Sequence, residues 1–561
     1  MIFESPWPKV DLPECSVWEK VWSNPRNKSD KDVAVIDGPT GRTLTRGQLR
    51  ELSQRTAHGF RRTGLKPGSV VLLFSPNTFY YHMIVLATQC AGVVFSGANA
   101  AYVPDEFAHQ VEDSGAQLLL VHPSCLGVAL AATKELGWSE KRQVENIILA
   151  VRKDEAQGAD ERFLTLDSII DDELLQPHKI TSPKTTVAYL GYSSGTSGKA
   201  KGVRTSAYNM TSVLSMLEPL NRDITDKDVS MVVLPLNHIY GLTKLLHWPV
   251  LIGTPVVVMP KYELKQLCHL LEKYRATILM LVPPIALHMA RDPLATKYDL
   301  SNLRLVISGA APLGPELEKE LANRLPGCDV IQAYGLTESS PTTHVALSPY
   351  NKRGSIGPNL PMLRGRIVDV ETNKDLGPNQ SGELLLSAPS IMLGYHNKPE
   401  ATAETLVTDE KGDIWLRTGD IGHYDDDGCC FITDRLKSLI KVKGLQVAPA
   451  DLEASLLTSP LVEDVAVTGV YAEEEVTEFP RAFIVPVDKN CLRPGRQSDQ
   501  LAQQLRKFIE GKHAHYKWIR GGFVFIEAVP KSPSGKILRR LMGDVKGHLV
   551  QPYPAKIKAK L

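Results

Sequence analysis

Short apolar runs alternate with amphipathic helical stretches through most of this chain, and that alternation constrains its fold more than any other feature. Residues 187–190, 231–234, 256–259, 278–282 and 303–307 are such runs, and helical stretches at 264–274 and 315–324 follow some of them. Strands that are apolar throughout need cover on both faces, and a helix between two of them lets them lie parallel. The expected class is α/β: a large N-terminal domain of layered sheets with flanking helices. From Asp425 the texture changes. Asp425-Asp426-Asp427-Gly428 reads as a hairpin turn, 431–433 as a strand and 437–443 as a cationic run. A compact α+β segment follows, with helices at 449–457 and 499–510 and strands at 465–470 and 482–487. A boundary near 434–437 divides the chain into a large domain, 1–434, and a small one, 435–561. A length of 561 residues is too much for one hydrophobic core, which agrees with two domains.

The longest charge-free stretch, 67–104, is interrupted by Asn77, Gln89, Ser96 and Asn99. It reads as strand 70–74, helix 79–90 and strand 93–96 inside an α/β core, not as a membrane span. Three prolines by Pro13 and an early acid, Glu4, do not suit a secretory signal. A formal net charge of +1 gives no field that would draw nucleic acid or an anionic membrane. The eight cysteines form no C-x-x-C and no zinc-like spacing with histidine, so reduced, mostly buried thiols inside the cell are expected.

The first sign of chemistry is the loop Tyr192-Ser193-Ser194-Gly195-Thr196-Ser197-Gly198-Lys199-Ala200-Lys201-Gly202, directly after the apolar run 187–190. Successive N–H groups, hydroxyls and a lysine make a nest for phosphate, and glycine allows close backbone approach. A Walker A loop fails twice, since Gly198-Lys199 would require Gly at 193 and Ser or Thr at 200. A nucleophile elbow fits Gly191-Tyr192-Ser193-Ser194-Gly195 in pattern, and a serine esterase built on Ser193 stays open on these residues. Against it, the glycine-broken segment that follows is a poor start for the helix an elbow needs.

This loop resembles the phosphate loop of the adenylate-forming superfamily of acyl-CoA synthetases, luciferases and peptide-synthetase adenylation domains. Four further segments resemble that superfamily's motifs in order and spacing. They are Gln332-Ala333-Tyr334-Gly335-Leu336-Thr337-Glu338; Leu416-Arg417-Thr418-Gly419-Asp420; Asp434-Arg435-Leu436-Lys437 with Ile440-Lys441-Val442-Lys443-Gly444-Leu445-Gln446; and Pro530-Lys531-Ser532-Pro533-Ser534-Gly535-Lys536. The resemblance runs from about Asp32 to Arg540 and is nearest to 4-coumarate:CoA ligase-like enzymes, fungal aryl- and acyl-CoA ligases especially. One departure is Lys199-Ala200, where relatives have an apolar residue and proline; the loop gives up a fixed φ and gains a charge.

The resemblance implies an acid:CoA ligase. ATP activates a carboxylic acid as acyl-AMP with loss of pyrophosphate, and CoA then takes the acyl group. Ser193, Ser194, Gly195, Thr196, Ser197 and Lys201 would hold the β- and γ-phosphates, Thr337 the α-phosphate and Glu338 a Mg²⁺ ion. Tyr334, with Gln332 and Ala333 beside it, would form the adenine site. Gly309 and Ala310 would offer backbone there and beside the acid, and Asp420 with Arg435 would take the ribose hydroxyls. Lys536, on a small-domain loop, would bridge the acid and the α-phosphate. After pyrophosphate leaves, the small domain would rotate about Lys437, withdraw Lys536 and bring Lys443 and Gly444 to the thiol tunnel. Lys441 and Gln446 would hold AMP or acyl-phosphate oxygens, and Lys261 a phosphate of CoA.

For the acid, the resemblance points to His238 as a gate and to Tyr240 and Ile307 as pocket walls. Plant coumarate ligases carry Lys at the position of Ile307 and Asn near that of Thr243. The more apolar residues here imply an aryl or medium-chain aliphatic acid with no required phenol hydroxyl. Only 25 residues follow Lys536, so no carrier domain is expected. A non-catalytic adenylate-binding relative is disfavoured by intact Lys536, Glu338 and Asp420. The ending Ala559-Lys560-Leu561 is a conservative variant of S-K-L, so a peroxisomal import receptor is an expected partner and the peroxisome the expected location, with the cytoplasm as the alternative.

Overall fold

The computed structural model describes residues 1–193, 199–221, 224–443, 445–472, 475, 477–532 and 535–550. Three sheets build the large lobe. In the first, Val70–Phe74 lies between Val94–Ala98 and Leu118–Val121, all parallel. Ile147–Leu149 and Leu164–Thr165 extend one side. On the other, Val187–Ser193 pairs with Val94–Ala98 and turns back as the antiparallel Lys201–Ser206. The second sheet runs in the order Thr342–Val345, Asp329–Gly335, Leu305–Ser308, Ile278–Leu281, Ser230–Val232, Val256–Val258, Val33–Asp37, Thr43–Thr45, parallel except at its two edges.

The charge-free stretch resolves as strand Val70–Phe74, helix Tyr81–Ala91 and strand Val94–Ala98. Every residue of that helix is buried, which is why it carries no polar face. One apolar core takes in residues from both sheets and this helix. Among the described residues no helix is long and apolar enough to cross a membrane, and all eight cysteines are unpaired, seven of them buried.

The third sheet is antiparallel and contains Arg364–Val368, Gly382–Ser387 and Ile414–Tyr424. Phe3–Glu4 pairs on its edge. Its last strand, Cys430–Arg435, sets Arg435 opposite Asp420. Beyond a 3-10 turn, Leu436–Ser438, the small lobe has its own apolar core from Ile440 onward. That core packs helices Pro449–Leu457 and Arg496–Glu510 against the sheet Val462–Ala472, Thr477–Pro486, Phe523–Phe525, His548–Val550. The lobes touch where Arg291 donates to the carbonyl of Leu457 at 2.8 Å. They touch again where Gly535 closes on Val282 and Pro284.

Candidate active site

The strand Asp329–Gly335 ends in the turn Thr337–Ser339, and this junction presents the second motif. The side chain of Gln332 is buried, accepts from Leu313 N–H at 2.9 Å and donates to Glu318 at 3.2 Å. Gln332 therefore braces the 309–313 segment beside the expected adenine site. In that segment Ala310 holds φ +67°, a left-handed conformation costing roughly 1–2 kcal/mol for a residue with Cβ. A Cβ on Gly309 would lie 3.1 Å from the ring of Tyr240, so glycine is what lets that ring pack there.

Tyr334 donates to Asp420 Oδ2 at 2.6 Å. Arg435 Nε stands 3.3 Å from Asp420 Oδ1. The carboxylate, 3% exposed, is thus fixed by two donors and keeps lone pairs for neighbouring hydroxyls. Burial first, and then the charge of Asp420, push the Tyr334 hydroxyl well above its ordinary pKa, so it stays a donor.

Glu338 accepts from Tyr395 at 2.8 Å, and Lys201 sits over the Tyr395 ring at 4.9 Å from its centroid. Across the hairpin Lys201 faces Ser193. Thr337 is buried and packs over Gly191. Ser194, Gly195, Thr196 and Ser197 lie outside the described residues. The far end of the loop is tethered to the helix Pro104–Ser114. His109 meets the carbonyl of Ala200 at 2.9 Å, and Lys199 Nζ lies 3.9 Å from Asp105. Lys199 so turns its charge to an exposed acid, and Ala200 gains by hydrogen bonding part of the fixity that proline would give. The same hairpin removes the elbow reading of Ser193, because strand is followed by antiparallel strand and not by a helix.

His238 is half-buried and neutral, its pKa pushed down to about 4 by desolvation and then by the charge of Lys536. Its Nδ1 accepts from Tyr240 N–H at 3.3 Å. Tyr240 in turn donates to the carbonyl of Ile307 at 3.4 Å, so these two pocket residues share one wall. Lys536 comes from the small lobe, its loop closed by a 2.8 Å bond from Ser532 N–H to its carbonyl. Burial and the charge of Arg435 bring its pKa down to about 8, while Asp420 and Glu338 pull it up. Among the described residues its ammonium has no hydrogen-bond or ion-pair partner. The fold therefore gathers Lys536, His238, Glu338, Asp420, Arg435, Tyr334 and Lys201.

Other expected residues stand apart. Lys261 and Lys437 are exposed. Lys441 and Gln446 face one another across a hairpin, both exposed. Lys443, at φ +48°, pairs with Glu475 at 2.7 Å, and Gly444 lies outside the described residues. Sequence reasoning passed over Tyr395, which has no local signal since its partner lies 57 positions away. It also passed over Lys244, whose only signal was a lone charge in an apolar run.

Among the described residues no cluster of three or more His, Cys, Asp or Glu could hold a metal ion alone. Glu338 as a single carboxylate beside a phosphate loop suits Mg²⁺, which takes most of its ligands from phosphates and water.

A family model described as AMP-binding enzyme matches residues 21–396, and one described as AMP-binding enzyme C-terminal domain matches 451–536. The 4-coumarate-CoA ligase 1 of Narcissus pseudonarcissus is 38% identical over 551 residues, covering 96% of this chain and 95% of that protein. The probable 4-coumarate--CoA ligase 1 of Dictyostelium discoideum is 36% identical over 557 residues, 97% of each. The ATP-bound RpMatB-BxBclM chimera B3 superposes with a TM-score of 0.80 at 25% identity, over 95% of this chain and 99% of that one. The anthranilate CoA ligase AuaEII, solved with anthranoyl-AMP, shares the fold at a TM-score of 0.83, 23% identity and coverage of 95% and 98%.

Proposed function

This chain belongs to the AMP-binding enzyme family, and from that membership we propose the reaction its residues carry out: ATP-dependent ligation of a carboxylic acid to CoA through an acyl-AMP. One observation supports the reading above all. A small-lobe lysine, Lys536, is half-buried where His238, Glu338 and Asp420 of the large lobe meet, and among the described residues its ammonium has no hydrogen-bond or ion-pair partner.

Attack of a carboxylate on the α-phosphorus brings two anions together. The oxygen–phosphorus bond forms as the bond to pyrophosphate breaks. Preorganised cations aimed at the developing charge are what lower such a barrier. Lys536 is the mobile one and Lys201 the fixed one. Mg²⁺, when bound at Glu338, neutralises phosphate oxygens. Asp420, held by Tyr334 and Arg435, orients the ribose. Neutral His238 borders the acid without adding a charge that would compete with Lys536. In the second step the thiol sulfur attacks the acyl carbonyl, loses its proton and expels AMP. Thr337 on the α-phosphate, rotation about Lys437, Lys441 and Gln446 on the phosphate oxygens, and a thiol path past Lys443 and Gly444 with Lys261 at the CoA phosphates complete the proposal.

The acid is aryl or medium-chain aliphatic, in keeping with apolar Ile307 and Thr243. Acid-dependent ATP–pyrophosphate exchange tests the first step, and acid-dependent loss of free CoA thiol tests the second. Exchange in the absence of any acid, or none with any acid, would overturn the reading. Peroxisomal import through Ala559-Lys560-Leu561 is part of the same proposal and rests on sequence alone, those residues lying outside the described ones. A fluorescent fusion ending at Lys558 should stay in the cytosol, and equal distribution of both fusions would remove this element.

A further inference from the structure

The segment that carries the acid-site residues continues as a π-helix, Gly241–His247, and then as the helix Trp248–Ile252. A π-helical turn inserts one residue into the helical repeat, a departure that occurs chiefly at functional sites. His238 stands at the end nearest Lys536. Tyr240 follows, its ring against Gly309 and its hydroxyl on Ile307. Four residues further on, close to one π-helical turn along the chain, comes Lys244. Leu245 and His247 are accounted for: the carbonyl of Leu245 meets His82 at 3.1 Å, and His247 meets the hydroxyl of Tyr189 at 2.8 Å.

Lys244 is 6% exposed. Among the described residues it makes no hydrogen bond and no ion pair; its one contact of an electrostatic kind is the ring of Trp248, 5.4 Å from Nζ. Burial alone brings its pKa down to about 8. The protein thus keeps a lysine amine against its core with no partner among the described residues, and burial disfavours its charged form until an anion arrives. A charge there is disfavoured unless something pairs with it. Thr243 beside it does not serve, because its hydroxyl already donates to the carbonyl of Ser340 at 3.1 Å.

We infer that Lys244 forms the floor of the acid pocket and selects an acid that carries a second oxygen acceptor at its far end, a second carboxylate being the fullest match. This rests on the ligase reading above and adds the chemistry of the substrate's distal group. It also revises the expectation of a purely apolar pocket: Ile307 and Thr243 make the walls apolar, while the floor is cationic. A bare alkyl or phenyl terminus would seal the lysine off from water with nothing to replace it. A site built to pair a polar group discriminates strongly against analogues that lack the partner.

The test uses the full-length protein and the specificity constant for acid in ATP–pyrophosphate exchange. Matched pairs are hexanoic against adipic acid, octanoic against suberic acid, and cinnamic against 4-carboxycinnamic acid. In at least one pair the oxygen-bearing member should be favoured about a hundredfold. Lys244→Met and Lys244→Gln should erase most of that preference, exchange with the oxygen-bearing member falling far more than exchange with the bare one. Preference for the bare member in every pair, or an unchanged ratio in both variants, overturns the inference. So does equal loss with both members of a pair, since a merely structural lysine would give that. No exchange by the wild type with any acid overturns the ligase reading and this inference with it.

Discussion

The hydroxyl of Tyr395 donates a 2.8 Å hydrogen bond to Oε1 of Glu338, while the face of the same ring lies 4.9 Å from the ammonium of Lys201. One side chain thus sets both the acid proposed for Mg²⁺ and the cation proposed for the terminal phosphates. Burial and the neighbouring Glu338 raise the pKa of the hydroxyl, so it remains a donor. Tyr395→Phe keeps the ring under Lys201 and removes only the bond. A hydrogen bond to a charged group is worth about 1.5–3 kcal/mol, or roughly ten- to a hundredfold in rate. Pyrophosphate exchange should fall by that factor and need more Mg²⁺ for half-maximal rate. An unchanged Mg²⁺ requirement would separate Tyr395 from the metal site.

The pH profile should report Lys536. Its pKa is down at about 8, chiefly through burial. A cation with a lowered pKa is charged below that value and neutral above it, so the charge that activates the acid is lost as pH rises through about 8. The specificity constant for ATP, which reports the free enzyme, should therefore decline on the alkaline side near that point. Bound triphosphate draws the pKa back up, so kcat should decline at higher pH. His238, at about 4, stays neutral down to that range and should leave no acidic limb between pH 5 and 7. Coincident alkaline limbs for the two constants would count against Lys536 as the group observed.

Parallel core strands were legible because burial on both faces leaves a continuous apolar run: Val70–Phe74 reads directly. Helices with proline at their first position, Pro315–Arg324 and Pro449–Leu457, read to the residue because proline is free of donor duties there. In the antiparallel sheet the turn at Asp425–Gly428 was read, but Gly382–Ser387 went unread, since it pairs with Arg364–Val368 and Ile414–Tyr424 across longer connections. The motifs named Tyr334 and Asp420 separately but not the 2.6 Å bond joining them across 86 positions. Nor did any local pattern announce the π-helix, which depends on how Gly241–His247 packs against Met210, His82 and Tyr189.

Gly535 should govern docking of the Lys536 loop. It holds φ +79°, and a Cβ there would come within 3.0 Å of Val282 and 3.3 Å of Pro284 across the lobe contact. Gly535→Ala adds a left-handed strain of roughly 1–2 kcal/mol to that crowding. Adenylation should drop at least about tenfold. Thioester formation from supplied acyl-AMP should change little, because the loop need not be docked for that step. Loss of both steps alike, with an unchanged melting temperature, would mean that the contact matters throughout the cycle.

Lys536→Ala should separate the half-reactions most sharply. Its ammonium is half-buried beside Asp420, Glu338 and His238 and has no hydrogen-bond or ion-pair partner among the described residues, so its charge is held for groups that arrive with the substrates. Those groups are the carboxylate, the α-phosphate and the departing pyrophosphate, all anionic. Removing one preorganised donor costs roughly 10²–10³ in rate, and a full charge facing three anions should reach or exceed that. Binding of ATP should weaken only modestly, because Lys201, Glu338 and Asp420 with its supports Tyr334 and Arg435 stay in place. The second step begins from a finished acyl-AMP and, in the proposed cycle, after Lys536 has withdrawn. Given acid and ATP, the variant should be nearly inactive; given acyl-AMP and CoA, it should form thioester close to the wild-type rate. Equal slowing of both steps in a folded variant would mean that one arrangement of the lobes serves both reactions, and the rotation about Lys437 would have to be abandoned.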